Sequence, residues 1–376
     1  MMPVSIGRPD ETGRREERAR RRPASATAAG LQRPDRKPSR RNTQVRRNAL
    51  VLAWIVVAAV LAVLIIAGPL ASWGTWLPLH ALLLGGIGSA ITVWSAHFAD
   101  TLLHRPALGG AALLDARLYA HGAGTALVLV GITASWPVVA VAGVTIIVLA
   151  ALTGVVAISV QYRRAVAPRL AALAIHYAVA LMLLALGAVF GYLTNWAEAR
   201  GSTHLSDVFY VAHTTTMVLG FVGTTVLGTL TVLWPTMLRT KMEPEAPRWT
   251  TRGLPLLVCG TALVAASGLF SPLAVVGMIV YLAGACGVIV PGFKTARRVP
   301  PTSFATASAA AAVIWFLIGV VRIGAGIGVS ALGDAGAVGQ AAAAREVIHG
   351  VRVLLAAGFA LQVLAGDLSY LSPVML

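Results

Sequence analysis

Charged side chains and cysteine are scarce in this 376-residue chain. Only 12% of the residues are Asp, Glu, Lys or Arg, which is about half of the fraction usual in a soluble domain. The two cysteines, Cys259 and Cys286, both lie inside apolar runs. The sequence therefore excludes a disulfide framework and a Cys-x-x-Cys metal motif, and we expect both thiols to be small buried hydrophobic groups.

Motifs of nucleotide binding and hydrolysis are also missing. The chain has no GxxxxGK[ST] loop, no GxSxG elbow and no pair of carboxylates within an apolar run. Its side chains therefore indicate no reaction that could proceed without a cofactor.

The chain is instead rich in long apolar runs. Hydrophobic residues make up 57% of it, and about ten runs are each long enough to cross a bilayer core of about 30 Å. A transmembrane barrel would show short alternating segments, which the sequence lacks. The predicted fold is all-α, a polytopic transmembrane helix bundle embedded in a lipid bilayer. The predicted spans are residues 49–70, 76–99, 116–133, 136–160, 168–193, 206–236, 253–269, 272–293, 304–329 and 346–370.

The N-terminal segment is the polar exception. Residues 1–50 hold 14 Lys/Arg and five Asp/Glu and show no hydrophobic periodicity. We expect residues 1–48 to form a disordered basic cytoplasmic tail and residues 49–376 to form the transmembrane domain. A basic tail can bind nucleic acid, but contact with anionic lipid is the favoured interpretation, and no nucleic-acid partner is predicted.

Positive charge is unevenly distributed between the two sides of the predicted bundle. With the tail inside, twelve Lys/Arg residues near the span ends lie on the cytoplasmic side and two on the outer side. This asymmetry predicts a multi-pass protein of the plasma membrane with both termini in the cytoplasm.

Three histidines recur at nearly constant spacing. The interval from His80 to His213 almost equals that from His213 to His349, and the three lie one to two turns below the outer ends of spans two, six and ten. The recurrence suggests a repeat of four helices, of which the third copy has only two. Imidazole suits iron and copper, and ionisable residues at this depth are candidates for function. The three histidines are therefore a candidate haem or copper site, with helix packing as the alternative.

Other charged residues are predicted at the same depth. Glu346, His349 and Arg352 step by three and share one face of span ten, and Arg322 of span nine reaches the same level. Two arginines buried there would need anions, for which Glu346, Asp334 and haem propionates are the candidates. Salt bridges without any cofactor are the alternative.

A weaker group lies at the cytoplasmic end of span two. In WSAHFADTLLHRP, His97 is three residues from Asp100 and seven from His104, which predicts a shared helix face. A solvated helix end is the favoured interpretation, and metal delivery or proton uptake is the alternative. His121 and His176 are expected to be histidines that pack between helices.

Three segments resemble the membrane part of bacterial multicopper-oxidase-domain proteins: LPLHALLLGGIGSAITVWSAHFADTLLHRP, AHTTTMVLGFVGTTVLGTLTVLWPTMLRTKM and HGVRVLLAAGFALQVLAGDLSYLSPVML. That membrane part is in turn similar to haem-copper oxidase subunit I and to NnrS-type haem/copper membrane proteins. The resemblance covers about residues 49–376.

The resemblance implies twelve helices in three arcs of four. It also implies that histidines near the outer ends of helices two and ten, here His80 and His349, hold a low-spin haem. The sixth span of the resembling proteins often reads H-x-H-x-N, and here His213 matches the first position while Thr215 and Met217 replace the other two. The chain also lacks cupredoxin domains and two final helices, so we expect a shortened relative or a fragment.

The leading functional prediction is a membrane protein that binds haem or copper near its outer face. His80, His213 and His349 would be ligands, and Arg322 and Arg352 would neutralise propionates. It would serve electron transfer, copper handling or nitrogen-oxide metabolism, beside a cupredoxin or other redox partner. A transporter with a midplane site is one alternative, and a cofactor-free anchor or assembly subunit is another. Whether the chain is an enzyme stays open.

Overall fold

The computed structural model describes residues 40–166, 170–333 and 336–375. They form ten long helices joined by short connections. The helices are α1 (Arg40–Ile66), α2 (Trp76–Leu103), α3 (Gly110–Thr133), α4 (Pro137–Arg164), α5 (Ala174–Ala199), α6 (Thr203–Met237), α7 (Ala246–Ala265), α8 (Leu273–Arg298), α9 (Phe304–Ser330) and α10 (Ala337–Met375).

The all-helical prediction is confirmed for the residues that the structure describes. Nine of these helices are long and apolar enough to cross a membrane, judged by length and composition. The exception is α3, which carries Asp115, Arg117 and His121 in its first half. We call the end of the bundle that holds Trp76 and Thr203 the outer end, after the orientation predicted from charge.

The first helix begins earlier than its apolar run indicated. Residues 40–48, predicted to belong to a disordered tail, are the first turns of α1. Arg46 and Arg47 each lie 2.7 Å from a carboxylate oxygen of Asp115 in α3, and these ion pairs hold the polar turns against the bundle. The rest of the predicted tail, residues 1–39, lies outside the described residues.

Three helices contain a stretch of π-helix. The π segments are Ala81–Ile87 in α2, Thr216–Gly223 in α6 and Leu354–Leu361 in α10, and they start at nearly equal intervals along the chain. π-helix is rare and usually occurs as single turns, often at functional sites. Hydropathy did not predict that it would recur in every fourth helix.

The π segment of α2 leaves a carbonyl group available to another helix. His121 of α3 donates from Nε2 to the carbonyl oxygen of Leu84, at 2.8 Å. Gly88 makes this approach possible, because a Cβ atom there would lie 2.6 Å from the same nitrogen. His121 thus has the helix-packing role expected from the sequence.

The same arrangement recurs at the corresponding place in α6. The hydroxyl group of Tyr281, on α8, donates to the carbonyl oxygen of Leu219 at 2.9 Å. A Cβ atom on Gly223 would lie 2.6 Å from that hydroxyl oxygen. In both α2 and α6 the bonded carbonyl lies one helical turn before the glycine. The donors are not equivalent, because His121 is on the third helix of its predicted unit and Tyr281 is on the fourth helix of the next.

Close glycine contacts join α3 to α4 and α7 to α8. A Cβ atom on Gly124 would lie 2.8 Å from the carbonyl oxygen of Gly143, and one on Gly253 would lie 2.5 Å from that of Gly284. Each contact joins the third helix of a predicted four-helix unit to the fourth. Glycine lets the two backbones touch, which is how small residues promote helix association in membranes.

The α3–α4 and α7–α8 hairpins each have a second close glycine contact, and it lies the same number of residues from the first in both hairpins. Gly131 approaches the backbone of Ala140, and Gly260 approaches that of Tyr281. With these faces turned inward, Cys259 on α7 and Cys286 on α8 are exposed on the surface of the bundle. The prediction that both thiols are buried was therefore wrong.

The second helices of the predicted units meet inside the bundle. Side chains from α2, α6 and α10 line one shared cavity. Of the nine apolar helices, α6 is the most enclosed and α1 the least. The polar residues that line this cavity are therefore brought together from three helices.

Candidate metal centre

His80 and His213 face each other near the outer end of the bundle. Their ring centroids are 6.1 Å apart and their planes differ by 7°. His80 stands just before the π segment of α2, and His213 stands shortly before that of α6. The fold thus brings together two histidines that are distant in sequence.

The Nδ1 atom of each ring is fixed by a main-chain carbonyl group. His80 Nδ1 lies 2.8 Å from the carbonyl oxygen of Trp76, one turn earlier in α2. His213 Nδ1 lies 2.8 Å from that of Gly187, in α5. Because a carbonyl oxygen can only accept, Nδ1 must carry the proton in both rings, and each Nε2 keeps a free lone pair.

Neighbouring residues hold the two rings in place. The indole of Trp76 stacks on the His80 ring, with the ring centroids 4.4 Å apart. Gly191 of α5 gives the His213 ring its space, because a Cβ atom there would lie 2.8 Å from both Nδ1 and Cε1. Sequence reasoning found the histidines but not these supports, although Gly187 and Gly191 are one helical turn apart in LGAVFGY.

His349 lies against other partners. Its ring meets Tyr210 of α6 edge to face, with centroids 5.7 Å apart. Arg352 Nη1 is 3.2 Å from Nδ1 and 3.3 Å from Nε2 of His349, so a cation borders both ring nitrogens. No group of three or more His, Cys, Asp or Glu side chains among the described residues is placed to hold one metal ion.

The charged residues predicted beside the histidines are arranged differently from expectation. Arg322 and Glu346 are both exposed, so the predicted burial of Arg322 was wrong. Arg352 is half-buried and has no carboxylate partner among the described residues. Asp334, named as a possible counter-ion, lies outside the described residues.

Another arginine, Arg345, pairs with two carboxylates at the outer end of the bundle. Arg345 lies 3.0 Å from carboxylate oxygens of both Glu198 and Asp207. Its guanidinium also lies over the Tyr210 ring, 4.7 Å from the centroid. These contacts tie the start of α10 to α5 and α6 and explain why α10 begins before the predicted apolar run.

Only part of the group predicted at the cytoplasmic end of span two shares one helix face. His97 and Asp100 both lie in α2, three residues apart, but α2 ends at Leu103. His104 adopts a left-handed conformation with φ 49°, so its predicted alignment with His97 fails. His97 instead packs edge-on against Trp94, with centroids 5.7 Å apart. Asp100 accepts a hydrogen bond from Gln161 of α4 at 2.6 Å.

No known protein-family model, curated protein or solved structure matches the chain.

Proposed function

We propose that this protein binds haem iron or copper through His80 and His213, near the outer face of a membrane. The observation that carries the proposal is the pair of rings, whose centroids are 6.1 Å apart and whose Nδ1 atoms are both hydrogen-bonded to carbonyl oxygens. Metal-ligating histidines almost always donate their other ring N–H to a carbonyl or carboxylate group, which fixes the ring and raises its basicity.

The two rings are close enough to serve one shared site, since their centroids are 6.1 Å apart and their planes nearly parallel. His80 and His213 would hold the metal through Nε2, the nitrogen that the carbonyl bond at Nδ1 leaves free in each ring. Imidazole is a suitable ligand for both iron and copper.

The recurring contacts support an arrangement in four-helix units, as in haem-copper oxidase-like bundles. The π segments recur in α2, α6 and α10, and the glycine contacts of α3 and α4 recur in α7 and α8. We infer that α1–α4 and α5–α8 are two copies of one unit and that α9 and α10 begin a third. The histidine pair joins the second helices of the first two copies.

The proposed pair differs from the one that the family resemblance implied. The resemblance predicts ligands on helices two and ten, His80 and His349. We propose His213 instead, because the Arg352 guanidinium borders both nitrogens of His349 and would repel a metal cation. Arg352 is then the arginine available to an anionic group, such as a haem propionate, at this end.

Bound haem or copper would supply one-electron redox chemistry. The protein would position that group close to the outer end, where a cupredoxin or another redox protein could reach it. The charge asymmetry supports a plasma-membrane protein with cytoplasmic termini, so that this end would face away from the cytoplasm. Electron transfer, copper handling and nitrogen-oxide metabolism are the processes that such a site would serve.

Metal analysis of histidine variants tests the proposal. The protein is produced in cells supplied with haem precursor and copper, purified in mild detergent, and measured for iron, copper and visible absorption. We expect bound metal in the natural protein and its loss in both His80→Ala and His213→Ala. His349→Ala is the matched control and should keep the metal.

Three outcomes would contradict the proposal. One is a colourless, metal-free natural protein, which would favour a transporter or a cofactor-free anchor. Another is metal that persists in His80→Ala and His213→Ala. The third is metal lost from His349→Ala but kept in His213→Ala, which would restore the pair that the resemblance implied.

A further inference from the structure

A second polar site lies on the inner half of the bundle axis. Side chains of α2, α6 and α10 line a partly open cavity of about 60 Å³. Most of its lining is apolar, and the polar members are Trp94, Ser95, Thr225, Thr229 and Asp367. The cavity lies about midway along these helices and toward their cytoplasmic ends, away from the histidine pair.

Three polar atoms of this lining have no hydrogen-bond partner within the described residues. They are Trp94 Nε1, Ser95 Oγ and Asp367 Oδ1, and all three are buried. Trp94 and Ser95 are 7% and 2% exposed. Since a buried polar group without a partner costs free energy, such groups in native proteins usually bind ordered water.

The α6 side of the cavity presents hydrogen-bond acceptors. Thr225 donates its hydroxyl hydrogen to the carbonyl oxygen of Phe221 at 2.8 Å, and Thr229 donates to that of Thr225 at 2.8 Å. Tyr177 of α5 lies 3.1 Å from Thr229 Oγ1 and must be the donor in that pair. Lone pairs on both threonine oxygens therefore remain available.

Donors and acceptors around a small cavity are the features that water requires. To hold a water molecule, a cavity needs roughly 10–15 Å³ of space open to a water-sized sphere and two to four polar partners. The cavity of about 60 Å³ exceeds that space. Trp94 and Ser95 supply donors, and Thr225, Thr229 and Asp367 supply acceptors.

Asp367 is the only titratable side chain among the described lining residues. No lysine, arginine or histidine in the described part of the chain lines the cavity. The titratable groups beside it are the Tyr177 hydroxyl, bonded to Thr229, and His97, which packs against the lining residues Trp94 and Phe98. A carboxylate without a cationic partner is costly in a membrane interior, where such residues commonly mark proton relays. The N–H of Trp94 and the O–H of Ser95 are donors that can stabilise the ionised form when it arises.

We propose that this cavity binds water and that Asp367 exchanges a proton with that water. In the step, the O–H bond of the carboxyl group breaks, the proton passes to cavity water, and the negative charge stays on Asp367. The reverse step restores the acid, and no electron moves. The site needs no metal, so it does not depend on the histidine pair.

Infrared spectroscopy of the purified protein in lipid nanodiscs tests this proposal. A protonated carboxyl group has a C=O stretching band that is separate from carboxylate bands and shifts when H₂O is replaced by D₂O. We expect such a band in the natural protein, its loss in Asp367→Asn, and its retention in Asp115→Asn. Asp115 is a suitable control because its carboxylate is paired with two arginines.

A second variant keeps the test decisive if Asp367→Asn does not fold. Ser95→Ala removes one donor from the cavity and should move the carboxyl band without abolishing it. Absence of the band from the natural protein at every pH at which it is folded would overturn the proposal. The proposal would also be overturned by a band that persists in Asp367→Asn, by a band that does not shift in D₂O, or by a band whose frequency is the same in Ser95→Ala as in the natural protein.

Discussion

At the scale of single residues, the histidine pair depends on atoms that hydropathy and spacing do not reveal. The sequence placed His80 and His213 at similar depth, and the structure brings their rings together. The groups that orient them are main-chain carbonyls of Trp76 and Gly187. A carbonyl leaves no mark in the sequence, so the tautomer of each ring could be assigned only from the structure.

Gly191 provides a test of ring orientation. A Cβ atom at this position would lie 2.8 Å from His213 Nδ1, so Gly191→Val should displace the ring and break its bond to Gly187. Loss of a partner that orients a ligand typically lowers metal affinity by about 10–100-fold. We expect that loss in a metal titration of the purified variant. Gly350→Ala is the control, because a Cβ atom there has nothing within 4 Å; equal affinity in the two variants would contradict the account.

Asp367 shows what sequence reasoning overlooked at this scale. It is an isolated acidic residue in the apolar stretch VLAGDLSY, and an intramembrane carboxyl group is a candidate for function by itself. The residues predicted as functional on α10 were instead Glu346, His349 and Arg352. Depth alone could have pointed to Asp367, but its neighbours Trp94 and Ser95 come from α2 and required the packing.

At the level of the helices, the three similarly spaced histidines do not occupy equivalent positions relative to the π segments. His80 precedes its π segment by one residue, His213 by three and His349 by five. A shift of two residues turns a side chain by about 200° around a helix. The near-constant spacing therefore indicated corresponding helices correctly, but it did not place the rings on equivalent faces.

The Tyr281 hydroxyl tests how much a π segment depends on its side-chain donor. Tyr281→Phe removes the hydrogen bond to Leu219 and leaves a buried carbonyl unpaired, which typically costs about 1–3 kcal/mol. We expect that decrease in the free energy of unfolding, measured by SDS titration in mixed micelles. Tyr370→Phe makes the same chemical change at an exposed hydrogen bond and should alter stability by less than about 0.5 kcal/mol. Similar values for both variants would contradict a special role for Tyr281.

At the scale of the whole molecule, the number and order of helices could be read from the sequence and their lateral arrangement could not. Apolar runs of about 20 residues follow directly from bilayer thickness. Which helices touch depends on small residues at particular faces, such as Gly124 with Gly143. Glycine is so common in this chain that no single one identified its partner in advance. The repetition of this contact between Gly253 and Gly284 became visible only in the structure.

Two glycines of α8, one in a close helix contact and one outside any, test this packing. A Cβ atom on Gly284 would lie 2.8 Å from the carbonyl oxygen of Gly253, so Gly284→Ala should force the helices apart and cost about 1–3 kcal/mol. On the same helix, the nearest atom to a Cβ on Gly292 is 3.9 Å away, and Gly292→Ala should stabilise by up to about 1 kcal/mol. SDS titration of both variants measures the difference.

Gly143 occupies in α4 the position that Gly284 occupies in α8. Its Cβ would lie 2.7 Å from the carbonyl oxygen of Gly124. If the two hairpins are copies of one unit, Gly143→Ala should lower the free energy of unfolding by an amount similar to Gly284→Ala. If only one of the two variants is destabilised, the hairpins are not energetically equivalent.

Counting the imidazoles that coordinate the metal is a direct test of a centre held by His80 and His213. The protein, produced with ¹⁵N-labelled histidine and purified with its metal, is studied by pulsed electron paramagnetic resonance, which detects nitrogen bound to the metal. We expect two histidine nitrogens in the natural protein and in His349→Ala, and loss of the signal in His80→Ala and His213→Ala. A natural protein without bound metal, or a signal unchanged by either of those substitutions, would contradict it.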